Sequence, residues 1–245
     1  MDTIEEFKKE CAERVAKQGE NKELQKASQI WMETSIRSGY SYNFSWMGRP
    51  IIQYPQDMIA MQELIWTVQP DLIIETGIAH GGSLIFYASI LELIGKGEII
   101  GIDIDIRSHN KIEIQKHPMF KRIELIEGSS ISPETLDKVN DAISEKNIKI
   151  IMVLLDSNHT HQHVLREMEL YSPFVSKGSY LIVFDTIVED LPSEIYKNRG
   201  WSEGNNPKTA VKEFLKKNSN FIIDSAIENK ILLSVAPSGY LQKTF

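Results

Sequence analysis

The sequence is poor in residues that staple or anchor a chain. Its one cysteine, Cys11, excludes an internal disulfide framework and a cysteine-rich zinc site. No apolar run reaches the ~18 residues of a membrane span. The opening MDTIEEFKKE is charged from its second residue and lacks the apolar centre of a signal peptide. Positive charge is in deficit, with 27 Lys and Arg against 34 Asp and Glu for a net charge of −7. That balance argues against bulk binding to nucleic acid or to anionic membrane. What remains is ordinary globular usage, 42% hydrophobic and 25% charged over 245 residues. A chain of this length buries roughly 70–75% of its unfolded surface and needs no staples. These absences together predict a soluble, cytoplasmic protein.

The N-terminal 36 residues are polar and helix-prone, with irregularly spaced apolar positions, and predict one or two amphipathic helices serving as a solvated extension or an oligomer contact. Residues 38–56 are aromatic and punctuated by Gly and Pro without period, which reads as a loop. From Asp57 the rhythm becomes regular. Helices are expected at 58–67, 82–94, 109–116, from Ser132-Pro133 onward, 160–171 and 207–217. Strands are expected at 72–75, 99–103, 122–126, 148–155 and 179–184, with 221–223 and 231–235 as a closing hairpin. Strands alternating with helices imply right-handed βαβ units and a mostly parallel sheet covered on both faces. The expected division is an N-terminal helical extension with an active-site loop over 1–56, followed by one α/β domain over 57–245.

The segment LIIETGIAHGGS, residues 72–83, is the first informative site. A strand ends at Glu75, and Gly77, Gly81 and Gly82 turn the backbone into a helix start whose open N–H groups favour an anion. The spacing is G-x-x-x-G-G rather than the G-x-G-x-x-G of dinucleotide-binding turns. Glu75 would repel a pyrophosphate but can accept from a cationic ammonium. S-adenosylmethionine carries an amino group, a carboxylate and a sulfonium without phosphate, and fits better. A plain connection is the competing reading. The second strand ends at Asp103 in GIDID, where a ribose diol is commonly held, with Asp105 as the rival acid. The third runs into EGSS, whose Ser130 hydroxyl could meet an adenine edge.

Two further strand tips carry acids, Asp156 in LLDSNH and Asp185 in VFDT. Two carboxylates on one rim repel unless a cation lies between them, and oxygen ligation suits Mg²⁺, Ca²⁺ or Mn²⁺. Rim acids that merely cap helices are the alternative. His159 follows Asp156 by three residues, placed to take a proton from a substrate hydroxyl. His161 and His163 raise the rival of a histidine-rich transition-metal site.

With these motifs in order, the segments WMGRPIIQYPQD, IIETGIAHGGS, IIGIDIDIR, IEGSS, VLLDSNHTHQHVLREM, GSYLIVFDT, GNNPKTAVKEFL and PSGYL resemble the cephalosporin hydroxylase-type family of S-adenosylmethionine-dependent O-methyltransferases, over some four-fifths of the chain. The resemblance implies a Rossmann-like methyltransferase sheet with a C-terminal antiparallel hairpin. It makes Glu75, Gly77, Gly81, Gly82, Ser83, Asp103, Ser130 and Asp156 cofactor residues, Asp156 and Asp185 ligands of a divalent metal, Mg²⁺ foremost, and His159 the base. Trp46, Gly48 and Arg49 match a loop expected to fold over cofactor and acceptor. Phe184 stands where several relatives carry an acid, leaving Thr186, Glu189 or water to complete the coordination. The implied reaction is methylation of a hydroxyl on a sugar, glycoconjugate or secondary metabolite, by a homo-oligomer. The alternatives are a nicotinamide-dependent oxidoreductase and a catalytically weak cofactor-binding partner of another enzyme.

Overall fold

The computed structural model describes residues 3–144 and 146–245. Helix α1 (Thr3–Glu20) buries none of its residues, whereas α2 (Lys22–Arg37), capped by the Asn21 side chain on Leu24 N, buries Ser28, Met32 and Ser35. Residues 38–56, expected to be a loop, contain a 3₁₀ turn at Tyr40–Asn43 and an antiparallel hairpin of β1 (Phe44–Trp46) and β2 (Arg49–Ile51). Met47 and Gly48 both take positive φ, 47° and 86°, which gives a two-residue turn whose twist matches the strands it joins. Three-residue strands are too short to show a period, so composition hid them.

The main sheet follows. Helix α3 (Pro55–Val68) leads into β3 (Leu72–Thr76), α4 (Gly82–Ile94), β4 (Glu98–Asp103), α5 (Ser108–Lys116) and β5 (Ile123–Glu127). Then come α6 (Pro133–Ser144), β6 (Ile151–Leu155), α7 (His161–Tyr171), β7 (Tyr180–Val183) and α8 (Pro207–Lys217). The chain closes with β8 (Phe221–Ile223), α9 (Ser225–Ile231) and β9 (Tyr240–Lys243). Strand order is β5-β4-β3-β6-β7-β9-β8, parallel except for β9, which runs antiparallel to both neighbours. β3 and β6 are buried at every position, as central strands covered by helices on both faces must be. Alternate residues feed two cores: Ile73 and Met152 pack on one face, Leu72, Ile74 and Val153 on the other.

Two expectations need correction. The apolar run 148–155 contributes only its last five residues to β6, because Asp71 Oδ2 accepts from Lys149 N (3.1 Å) and Ile150 N (3.0 Å) and ties the approach to the base of β3. The closing hairpin pairs β8 with β9, not with 231–235. Asp224 accepts from Ala226 N and starts α9 where a turn was expected. Residues 234–235 are instead captured by the buried Asp57 carboxylate, which accepts from Ser234 Oγ (2.6 Å), Val235 N (2.9 Å) and Tyr240 Oη (2.8 Å).

Candidate active site

The strand order reverses between β3 and β6, and the crevice beyond that point is where open α/β sheets hold ligands. A cavity of about 560 Å³ lies there, walled by Gly77, Asp103, Gly128, Asp156 and Asp185 at the ends of five parallel strands. Its size is that of a cofactor site. The glycines of the turn serve chain packing as much as ligand approach. A Cβ at Gly77 would collide with the Asp156 carbonyl, one at Gly82 with the Pro50 carbonyl, and one at Gly81 with Ile114. Gly77 (φ 82°) and Gly81 (φ 77°) also occupy the left-handed region that glycine adopts freely.

Asp103, not Asp105, faces the cavity; Asp105 is exposed and off its wall. Asp103 Oδ2 accepts from Ile78 N (3.0 Å) and Ala79 N (3.4 Å), and Oδ1 from Asp105 N (3.2 Å), so this acid also holds the turn. Arg49 clamps the turn from the other side. Its Nε and Nη2 donate to His80 O (3.1 and 2.6 Å), and Nη2 also reaches Asn110 Oδ1 (2.9 Å). Trp46 packs edge-on against Phe86 and donates to Ser89 Oγ (3.1 Å), which anchors the hairpin to α4. Glu75 and Gly81 sit behind the cavity wall, while Ser83 is on it and donates to Glu75 Oε2 (3.0 Å). Burial pushes the Glu75 carboxyl up to about 8, against the opposing hydrogen bond from Ser83.

Asp156, His159 and Asp185 converge, each offering one ligand atom within 4.8 Å of the others. His159 Nε2 lies 3.2 Å from Asp185 Oδ2, and its ring meets Trp201 edge-on at 4.8 Å. Asp185 holds a left-handed backbone (φ 55°), a strained conformation for a non-glycine residue of the kind that gathers at functional sites. Burial, then repulsion from Asp185, holds the Asp156 carboxyl well above its usual range. Two carboxylates in mutual repulsion are a pair that a divalent cation would neutralise, with the His159 imidazole beside them, so the residues fit such an ion.

The expected substitutes for an acid at position 184 are engaged elsewhere. Phe184 is buried in the core, Thr186 Oγ1 donates to Pro237 O (2.7 Å), and Glu189 accepts from Gly204 N (2.9 Å) and Asn206 Nδ2 (2.5 Å). The three histidines also part company. His161 turns to Thr209 and Glu213 on α8, His163 to Ser130, Ser157 and Glu167, and only His159 joins the two acids. No histidine-rich metal site is assembled among the described residues.

Sequence reasoning missed several wall residues. Gln53, buried after β2, brings Nε2 to 3.5 Å from Asp156 Oδ2. Tyr42, Tyr196, Arg199 and Trp201 line the cavity from two segments remote in sequence. Only the aromatic richness of the loop near residue 40 was a signal for any of them.

A seven-stranded sheet in this order, with the next-to-edge strand β9 antiparallel and a glycine turn after β3, defines the Rossmann-like methyltransferase class. The chain superposes on CmcI in its apo-structure with a TM-score of 0.59 at 18% identity, covering 83% of this chain and 77% of that one. A CmcI structure with Mg and SAM gives 0.57 at 18%, covering 83% and 78%. Residues 38–244 match the Rhamnosyl O-methyltransferase/CmcI family, and the chain belongs to that family. The rhamnosyl O-methyltransferase of Mycobacterium tuberculosis (strain ATCC 25618 / H37Rv) is 31% identical over 202 residues, 80% of this chain and 77% of that protein. Its namesake in Mycobacterium leprae (strain TN) is 31% identical over 149 residues, 60% of this chain and 62% of that one.

Proposed function

We propose that the protein is an O-methyltransferase that moves a methyl group from S-adenosylmethionine to a hydroxyl of a sugar, glycoconjugate or related metabolite, with Mg²⁺ at Asp156 and Asp185. The observation that carries this reading is the convergence of Asp156, His159 and Asp185 on the cavity that the glycine turn also lines. The rhamnosyl relatives support a sugar acceptor, and so do the aromatic rings of Tyr42, Tyr196 and Trp201 on the cavity wall, suited to the apolar face of a pyranose.

When bound, the ion lowers the pKa of an acceptor hydroxyl, and the sulfonium offers a methyl group whose leaving group is a neutral thioether. In this reading Asp103 receives the ribose hydroxyls, Ser130 the purine edge, and Glu75 the amino group through Ser83. Gly77, Gly81 and Gly82 shape the turn that lets these groups approach. His159 takes the proton of the acceptor hydroxyl: the O–H bond breaks, an imidazole N–H bond forms, and Asp185, 3.2 Å from Nε2, offsets the imidazolium charge. Trp201 holds that imidazole by its edge contact. Family membership leaves the nicotinamide-dependent alternative without support.

The test is product mass after incubation with S-adenosylmethionine and Mg²⁺ against a panel of rhamnosides, other glycosides and nucleotide sugars. Gain of one methyl group is expected, abolished by chelation. Tight NADH binding without S-adenosylmethionine binding would sink the proposal, and cofactor binding with no acceptor or divalent ion would favour the non-catalytic partner. Among the described residues no helix is long and apolar enough to cross a membrane. We extend the proposal to a cytoplasmic homo-oligomer, supported by the exposed Phe7, Ile30, Ile59 and Trp66 on the first three helices. A monomer in light scattering would refute the second part.

A further inference from the structure

The segment between β7 and α8 brings Tyr196, Arg199 and Trp201 to the cavity wall, and the proposed reaction leaves Arg199 without a task. This segment is tied down at both ends. Glu194, in the 3₁₀ turn Ser193–Tyr196, accepts from Arg37 Nη2 on α2 (3.1 Å). At the far end two asparagines grip the backbone on either side of Trp201. Asn205 Nδ2 donates to Gly200 O (3.1 Å), and the buried Asn206 donates through Nδ2 to Ser202 O (2.9 Å). Asn206 also caps α8, so the start of a helix sets where Trp201 stands. Trp201 meets His159 edge-on at 4.8 Å and lies under the Arg199 guanidinium, 5.5 Å from the ring centroid. These two contacts put the guanidinium no more than about 10 Å from the imidazole.

Arg199 is the one Lys or Arg on the cavity wall, which carries the acids Asp103, Asp156 and Asp185. Arg14, Arg37, Arg122 and Arg166 each pair with a carboxylate. Arg199 instead meets an aromatic ring, and its side-chain N–H groups have no hydrogen-bond acceptor among the described residues. Its charge nonetheless bears on the cavity. Burial and then Asp185 push the Tyr196 hydroxyl up, and Arg199 opposes them. A guanidinium with open in-plane donors matches the two oxygens of a carboxylate or a phosphate. We propose that Arg199 is a specificity-determining residue that receives a negatively charged group, a carboxylate or a phosphate, carried by the acceptor beside the hydroxyl that is methylated. The inference rests on the methyltransferase reading above, which supplies the acceptor.

Isothermal titration of the protein loaded with S-adenosylhomocysteine and Mg²⁺ tests it without turnover. Two matched pairs serve as probes: rhamnose 1-phosphate against methyl rhamnoside, and methyl glucuronoside against methyl glucoside. The anionic member of at least one pair is expected to bind at least about fivefold more tightly, the upper range of a part-exposed ion pair. Which pair shows the preference tells phosphate from carboxylate. Arg199→Ala is expected to cut the preference below about twofold by weakening the anionic probe alone, while Arg199→Lys, which keeps the charge, retains part of it. Raising the ionic strength from about 0.05 to about 0.5 M is expected to shrink the preference of the unmodified protein. A merely structural role would weaken both members of a pair equally in Arg199→Ala, and that result would overturn the proposal. So would equal binding within both pairs by the unmodified protein. A loss of S-adenosylhomocysteine affinity in Arg199→Ala as large as the loss for the anionic probe would assign the guanidinium to the cofactor's carboxylate and also overturn it. Failure of the unmodified protein to bind S-adenosylhomocysteine, or any of the four probes, would overturn the methyltransferase reading on sugars as well, which separates the two failures.

Discussion

His159 and Glu75 show how differently two polar side chains can serve one cavity. His159 touches Asp185 and borders the cavity, so His159→Ala is expected to cut turnover ~10²–10⁴-fold while cofactor affinity by titration stays within a few-fold. Near-normal turnover would move the base elsewhere. Glu75 is buried behind the wall, and its carboxyl is raised to about 8 from an ordinary value near 4.5. The folded chain therefore holds this proton more tightly than the unfolded chain does. Stability falls as pH rises between those two values, and the deficit is complete above about 8. Asp57, raised by burial to about 6 from 3.8, adds the same sign in a lower window. Glu75→Gln is expected to flatten the fall of melting temperature between about pH 5 and pH 8. An unchanged slope in thermal melts would show that Glu75 titrates normally.

Among elements, the glycine turn couples the sheet to the site. Its backbone is gripped by Asp103 from below and by Arg49 from above, and Gly77 lies against the main chain of Asp156 and Ser157. Gly77→Ala combines a positive φ with a collision against backbone, so a loss of at least about 2 kcal/mol is expected in urea unfolding, together with weakened cofactor binding. The turn was legible in the sequence because three glycines between a strand and a helix have a local signature. The grip on it was not. Arg49 is 31 residues from His80 and 61 from Asn110, and no local pattern announces a contact at that distance. The β1–β2 hairpin escaped notice for the complementary reason, since its strands are too short for a period. The 231–235 segment read as a strand from its apolar residues, but Asp57, some 180 positions away, claims that stretch.

For the whole molecule, the family match begins at residue 38, so α1 and α2 lie outside it. The two helices differ in what they give the core. α2 buries Met32, pairs Ser35 Oγ with Tyr54 Oη at 2.8 Å, and sends Ile36 to the cavity wall. α1 buries nothing, and Gln18 meets α9 through the carbonyl of Asn229 (3.0 Å). Deleting residues 1–20 is therefore expected to shift the melting temperature by no more than about 4 °C, equivalent to roughly 1–2 kcal/mol for a chain of this size, and to leave cofactor affinity in place. Deleting through residue 37 is expected to cost both. A large loss from the shorter deletion would show that the extension is part of the fold.

The sequence by itself determined the succession of strands and helices, the glycine turn, and the acids at strand tips. Each is written in a local pattern: period, capping residue, or the last polar position of an apolar run. From these follow the sheet class and the edge on which chemistry is placed. Only the tertiary structure decided which acid faces the cavity, that Glu75 is buried behind it, and that three neighbouring histidines go to three different tasks. Those outcomes depend on which remote side chains arrive beside each residue, and the packing of the folded chain alone brings them there.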